Sequence, residues 1–224
     1  RGGYIDQEFD LFWSSREILK PAIYSRTPIP AVAPMFSETD PVVTTASELM
    51  ERCLISTLKR SDINEVMLGV RDGLIDSARA VPRVTYETDG KGKRVCYEYL
   101  DRHDFLHEPA RRWSEVGWVA FGAYLTERQA RKRFGAAKAA KVSYSRERTK
   151  NEGDLIGAPE KAKIWEVWHK ADNRVYWVSE GCEELLDDRP PFLELEGFFP
   201  CPRPAYGTVR PSTLVPVPDY TRYE

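Results

Sequence analysis

The sequence lacks the motifs by which many nucleotide-binding and hydrolytic enzymes are recognised. No GxxxxGK[ST] loop is present to cradle phosphates, and neither GxGxxG nor GxSxG occurs in the 224 residues. The four cysteines are too far apart to form a CxxC pair, which excludes a zinc ribbon and a thioredoxin motif. These absences predict a protein without catalytic activity, cofactor or bound metal.

Neither sign of charge dominates the chain, and no hydrophobic run is long enough to span a membrane. The 33 basic and 35 acidic residues leave a net charge of -2, which excludes a generally basic, histone-like surface. The longest apolar stretch, residues 116–125, falls far short of the ~20 residues that a membrane-spanning helix needs. The balance of apolar and charged residues is typical of a globular protein.

The first 60 residues predict helices joined by extended chain. A short helix is expected to stop at Pro21, and the proline-spaced residues 27–34 predict an extended segment that runs over a surface or crosses to a neighbouring subunit. Asp40-Pro41 predicts the start of a second helix with one apolar face, on which Cys53 would be a core thiol. That face comprises Val42, Ala46, Leu49, Met50, Cys53, Leu54 and Thr57.

A third helix and a hairpin are expected next. The helix opens at Asp62, and its Gly69 and Gly73 are four residues apart, so that another backbone could approach closely. Each glycine costs ~1 kcal/mol relative to alanine inside a helix, which close packing would offset. Period-two alternation in residues 80–87 and 94–99 predicts the hairpin, and residues 116–125 predict a buried strand.

Charge is distributed unevenly in the second half. A helix capped by Thr126 opens a basic stretch, residues 126–150, with nine basic and two acidic residues, whereas residues 179–198 hold seven acidic and one basic. The basic stretch is either a solvated helix face or a contact for DNA phosphates or a neighbour's acidic surface. In a ring of identical chains, the two patches would meet at subunit contacts. Candidates for the DNA channel or subunit interface are Arg128, Arg131, Lys132, Arg133, Lys138 and Lys141, and candidates for an acidic partner patch are Glu183, Glu184, Asp187 and Asp188.

The last third predicts a β-rich unit. Residues 164–170 and 174–179 flank a turn at 171–173, and residues 192–199 predict another strand. Three tryptophans in this unit allow either a base-stacking platform or the packing of a small β core, and packing is the favoured interpretation. They are Trp165, Trp168 and Trp177.

Residues 101–108 suggest a metal site only at first sight. His103 and His107 would share one face of a helix, with Asp104 and Glu108 as oxygen ligands. The order is not HExxH, however, and Pro109 follows at once. Loop residues that form hydrogen bonds are therefore the favoured interpretation.

A family resemblance is carried by short segments spread over nearly the whole chain. They are WS (13–14) with IYSR (23–26), ASELMER (46–52), VRDGLI (70–75), VTYE (84–87), DFLHEPAR (104–111), EVGWVA (115–120), ARKRF (130–134), FFPCPRP (198–204) and PVPDY (216–220). Together they resemble the portal proteins of short-tailed bacteriophages and prophages, the head-to-tail connectors through which genome DNA enters and leaves the capsid. The shared motifs are structural rather than catalytic.

The resemblance implies an α+β protein with a wing, a stem and a clip. Residues 1–124 would form a wing-like α+β domain, residues 125–157 a basic stem-like helix and linker, and residues 158–224 a β-rich clip-like unit with a proline-rich tail. The chain begins without Met and stops before the return stem helix, tunnel loop and crown of that family. This predicts a fragment that lacks the C-terminal part of a longer protein.

The resemblance also implies a function. The chain would be a structural subunit of a ring, typically of twelve copies, at the capsid vertex in the virion and in the host cytoplasm during assembly. Double-stranded DNA would pass through it non-specifically, and a packaging terminase and a tail adaptor would dock on it, with no membrane involved. The alternative is a nucleic-acid-binding protein that uses residues 126–150. A metal-dependent hydrolase at His103 and His107 ranks third.

Overall fold

A computed structural model of the chain describes residues 11–35, 40–89, 92–145 and 159–222. Arg146, Arg148 and Lys150 of the basic stretch lie outside these residues, as does Gly90, at which the chain is predicted to turn between the two hairpin strands. The described chain divides into two units. Unit 1 contains the described residues up to 99 with 201–209 and 216–222, and unit 2 contains residues 100–200 and 210–215.

Helices and antiparallel strands occur together, which confirms the predicted α+β class. None of the helices in the described ranges combines the length and hydropathy that a membrane span requires. The helices are α1 (Leu11–Ile23), α2 (Pro41–Arg60), α3 (Ile63–Ser77), α4 (Glu127–Phe134) and α5 (Ala136–Ala139). The strands are β1 (Arg79–Asp89), β2 (Gly92–Leu100), β3 (Phe105–His107), β4 (Trp118–Thr126), β5 (Lys161–His169), β6 (Arg174–Ser179), β7 (Asp187–Arg189) and β8 (Ala205–Tyr206).

The helix boundaries of unit 1 follow local rules, with one exception. The Val42 N–H donates to Asp40 Oδ1 at 2.8 Å and Pro41 occupies the first turn, which confirms the predicted start of α2. The prediction that the first helix stops at Pro21 is wrong, because α1 continues to Ile23. A proline removes one N–H donor, and the Tyr24 N–H still donates to the Lys20 carbonyl at 3.1 Å.

The two glycines of α3 lie against the ring of Tyr99. A Cβ atom at Gly69 would stand 2.9 Å from Tyr99 Cγ and 3.3 Å from its Cβ, and one at Gly73 would meet the Tyr99 hydroxyl. The predicted close approach is confirmed, although the neighbour is an aromatic ring on β2 rather than another backbone. The glycines therefore fix how α3 packs on the hairpin.

We expect Gly69→Ala to lower the free energy of unfolding of α3 by about 1 kcal/mol. Overpacking costs typically about 1–3 kcal/mol, which outweighs the roughly 1 kcal/mol that alanine gains in helix propensity. Hydrogen exchange of the α3 amides measures this change. In a Tyr99→Ala background the same substitution should become stabilising, because only the propensity gain remains. Equal effects in the two backgrounds would show that Tyr99 is not the constraint.

Unit 2 is built on a five-stranded antiparallel sheet in the order β3-β4-β5-β6-β7. Strands β4 and β5 pair in register from Trp118 opposite His169 to Thr126 opposite Lys161. The predicted buried strand and the hairpin around residues 171–173 are confirmed. Alternate residues point to one buried face, which includes Val119, Phe121, Ile164, Trp168 and Val175.

The predicted strand at residues 192–199 is wrong, because this segment consists of bends and turns. Phe198 has a positive φ of 76°, which a strand does not allow. The Phe198 ring lies 5.7 Å from Trp168 and 5.6 Å from Phe199, measured between centroids. Phe198 and Phe199 therefore serve ring packing rather than strand pairing.

The borders of the units differ from the predicted divisions after residues 124 and 157. Strand β4 pairs along its whole length with β5, so residues 118–126 and 161–169 belong to one sheet. Residues 201–209 return to unit 1, where β8 pairs with the start of β1. Long-range strand pairing of this kind leaves no signal in composition.

Candidate functional site

The basic segment begins with a capped but short helix. Gln129 Oε1 accepts the Thr126 N–H at 2.9 Å, and Thr126 Oγ1 accepts the Gln129 N–H at 3.4 Å, which confirms the capping box. Helix α4 ends after eight residues at Gly135, whose φ is 87°. The expectation of a stem-like helix is corrected for the described part, which holds α4 and the four-residue α5 instead.

The basic and acidic segments meet within unit 2. Arg133 Nη1 lies 2.9 Å from Asp187 Oδ2, and Lys141 Nζ lies 2.6 Å from Glu184 Oε1. Lys138 Nζ donates to the Leu186 carbonyl at 2.8 Å. We call these three contacts the charge clasp. The expectation that the two patches meet at a subunit boundary is thereby corrected for these pairs, because each finds its partner in its own chain.

Two exposed carboxylates of the acidic segment are stabilised in their ionised form by neighbouring cations. The hydrogen bond from Lys141 lowers the pKa of Glu184, and the hydrogen bond from Arg174, 2.7 Å away, lowers the pKa of Asp188. Arg133 also lies over the Trp177 ring, with 4.8 Å between the guanidinium carbon and the ring centroid. Three of the seven acidic residues of the segment, Glu184, Asp187 and Asp188, are therefore paired with cations of their own unit.

A few of the predicted basic and acidic site residues have no ion pair within the described chain and could contact a ligand or partner. Arg131 bonds Glu127 at 2.6 Å along α4. Arg128 and Lys132 are exposed one helical turn apart and have no ion pair or hydrogen bond of the side chain among the described residues. The same holds for Glu183 on the acidic side. These residues can reach a phosphate or a charged protein surface without breaking an internal contact.

The tryptophans of the β sheet serve packing. Trp168 is buried and its Nε1 donates to Glu166 Oε1 at 2.7 Å. Trp177 packs against the core around Ile164 and Leu186. Lys163 Nζ lies 4.5 Å from the ring centroid of Trp165. Buried or cation-covered rings do not form an open surface on which bases could stack.

The histidine segment does not form the arrangement that a hydrolase would need. His107 lies on β3 and His103 in the preceding turn, so the two do not share a helix face. Asp104 Oδ1 contacts Lys163 Nζ at 2.7 Å, and Glu108 Oε2 accepts the Gly117 N–H at 2.6 Å. Within the described ranges, no three His, Cys, Asp or Glu side chains are arranged to hold a metal ion.

A second candidate surface lies on α2 in unit 1. No side chain of this helix is buried, and Val42, Leu49 and Met50 are 73%, 63% and 58% exposed. We call the predicted apolar stripe from Val42 to Leu54 the α2 outer face; it comprises Val42, Ala46, Leu49, Met50, Cys53 and Leu54. The prediction that Cys53 is a core thiol is wrong, because Cys53 is exposed.

The opposite side of α2 is half-buried and carries the proline-spaced segment. The Val32 N–H donates to Glu51 Oε2 at 3.0 Å, and residues 27–30 line a groove together with Ile55 and Leu58 of α2. The segment therefore runs over the surface of its own chain, one of the two predicted courses. Sequence periodicity identified the apolar stripe, but it could not tell which side of α2 the chain itself covers.

Comparison with known proteins finds no family that matches the chain and no curated protein with significant similarity to it.

Proposed function

We propose that the chain is a structural subunit of a homo-oligomeric ring, the portal through which bacteriophage DNA is packaged and ejected, and that it catalyses no reaction. The observation that carries the proposal is the α2 outer face. A 20-residue helix with no buried side chain and large apolar residues in water favours a protein that completes its packing with another copy. The proposal that this assembly is a portal ring rests on the resemblance of short sequence segments to portal proteins.

The chemistry of the surface is compatible with a conduit for DNA of any sequence. Phosphate contacts give affinity that does not depend on sequence and falls with salt, whereas readout of bases would stall translocation. Arg128 and Lys132 offer two such contacts, and the charge clasp removes most of the others. In this proposal the ring stands at the capsid vertex of the virion, and Glu183 belongs to the surface that meets the packaging terminase or the tail adaptor.

The test of the assembly is its mass and shape. Native mass spectrometry of the chain at micromolar concentrations is expected to give a homo-oligomer, and electron microscopy to give a closed ring with a central opening. A single chain at every concentration would overturn the proposal.

The alternative function is nucleic-acid binding by the basic segment, and the open pair Arg128 and Lys132 is the observation that favours it. We expect duplex DNA to bind weakly, and the double substitution Arg128→Ala, Lys132→Ala to reduce the slope of log affinity against log salt by about 2, at roughly 0.9 per lost phosphate contact. Fluorescence anisotropy at several salt concentrations measures the slope.

Arg133→Ala is the matched control, because Arg133 already pairs with Asp187 and should change the salt slope little. Tight binding at physiological salt that is lost in the double variant would favour the alternative over a passive conduit. An unchanged slope in the double variant would show that Arg128 and Lys132 do not touch phosphate.

A further inference from the structure

The hairpin of unit 1 has a long open edge. Strand β2 is the outermost strand in the order β2-β1-β8 and extends over nine residues. No strand pairs with its outer edge among the described residues. The outermost strands of the unit 2 sheet, β3 and β7, have only three residues each. Short edge strands are the usual protection against unwanted pairing, so the long free edge of β2 stands out.

A cavity of about 570 Å³ follows this strand. It is lined by every residue from Lys93 to Tyr97, and neighbouring side chains of a strand point to opposite faces. The cavity therefore follows the strand from Lys93 to Tyr97. Its other walls are Tyr86 and Glu87 of β1 and, at the end of α2 and in the following turn, Thr57, Arg60, Ser61 and Asp62. The volume lies in the range of ligand-binding clefts.

Two cations on the lining of the cavity have no ion-pair partner in the part of the chain that the structure describes. Arg60 and Lys93 are exposed and make no ion pair or side-chain hydrogen bond with the described residues, whereas Arg94 is paired with Glu87 at 2.9 Å. Asp62 is the remaining acid on the lining. Two open cations against one open carboxylate favour a ligand with acidic groups.

Cys96 does not turn the cavity into a reactive site. Burial, followed by the hydrogen bond to Glu87 and its negative charge, raises the pKa of the thiol. A protonated thiol is a poor nucleophile, so the cavity suits binding rather than chemistry.

We propose that the β2 edge and this cavity dock an extended acidic segment of a partner protein, which adds a strand to the hairpin and places carboxylates near Arg60 and Lys93. Main-chain hydrogen bonds to β2 would supply affinity, and the cations would select the sequence. This inference does not depend on the proposed ring, because it uses a different surface.

The test uses two blocked nonapeptides, one of alternating Glu and Thr and one of alternating Lys and Thr. Hydrogen exchange resolved to single residues is expected to show that the Glu–Thr peptide protects every second amide of β2, those whose N–H groups point outward. The Lys–Thr peptide should give at least tenfold weaker binding. Protection of no β2 amide, or equal binding of both peptides, would overturn the proposal.

Arg60→Glu tests the charge selection, and Lys59→Glu is its matched control. Both residues are exposed on the last turn of α2, but Lys59 lines a separate groove with Thr27 and Pro28. We expect Arg60→Glu to weaken the Glu–Thr peptide about tenfold and Lys59→Glu to change its affinity less than about threefold. Equal losses of affinity in the two variants would show that the net charge of the protein, and not Arg60 in the cavity, selects the peptide, and would overturn the proposed charge selection. Protection of β2 that rises with protein concentration without peptide would assign the edge to a second copy and also overturn the proposal.

Discussion

Leu49→Glu is expected to dissociate the assembly into single chains at micromolar concentrations. Leu49 lies on the α2 outer face and is 63% exposed in the chain, so the substitution should change the stability of the subunit by no more than about 0.5 kcal/mol. In a subunit contact the new carboxylate would lose its water, which costs several kcal/mol for an unpaired charge. Native mass spectrometry and size-exclusion chromatography with light scattering measure the loss.

Thr44→Glu is the matched control for this prediction. It adds the same carboxylate to the same helix, and Thr44 is exposed about 140° around the helix from Leu49, at 3.6 residues per turn. The assembly of this variant should resemble that of the unmodified chain. Equal dissociation in both variants, or in neither, would show that the α2 outer face is not the subunit contact.

The native cysteines provide an independent measurement of the same contact. Cys53 lies on the α2 outer face and is exposed, so its alkylation should slow as assembly proceeds in the unmodified chain but not in Leu49→Glu. Cys201 serves as the internal reference, because burial raises its pKa to about 12 and keeps the thiol protonated. Alkylation of Cys53 at a rate independent of concentration would contradict the proposed contact.

Local signals in the sequence predicted the elements well. The Asp40 cap, the Thr126 capping box and the strand at residues 116–125 depend on neighbouring residues, and the structure confirms all three. The prediction of a strand at residues 192–199 failed because a strand also needs a partner with free hydrogen-bonding groups. Phe198 instead has a positive φ, and its ring packs against Trp168.

Long-range contacts could not be predicted from the same signals. The net charges of two segments predict that the segments attract each other, but not which residues form ion pairs. Arg133 and Asp187, for example, are 54 residues apart in the sequence. The apolar stripe of α2 was visible in the sequence, but the chain covers the other side of this helix with its proline-spaced segment. A stripe shows that a face is apolar, whereas only the structure shows whether the chain itself covers it.

The charge clasp has a buried centre, which leads to a stability prediction. Leu186 is 2% exposed, packs with Val142, Ala162 and Ile164, and donates its N–H to the Trp177 carbonyl at 2.8 Å. We expect Leu186→Ala to lower the free energy of unfolding of unit 2 by about 2–4 kcal/mol, since it removes buried methyl groups and leaves a cavity. Urea unfolding followed by tryptophan fluorescence measures it, because five of the six tryptophans lie in unit 2.

Leu185→Ala is the control, because the same side chain is removed one residue earlier at a position that is 46% exposed. Its effect should stay within about 0.5 kcal/mol, as for most surface substitutions. The contrast between adjacent leucines tests whether the acidic segment is anchored in the core by Leu186 or held only by its ion pairs. If ion pairs alone held it, both leucine variants would be nearly neutral, and Asp187→Asn would destabilise unit 2 more than Leu186→Ala does.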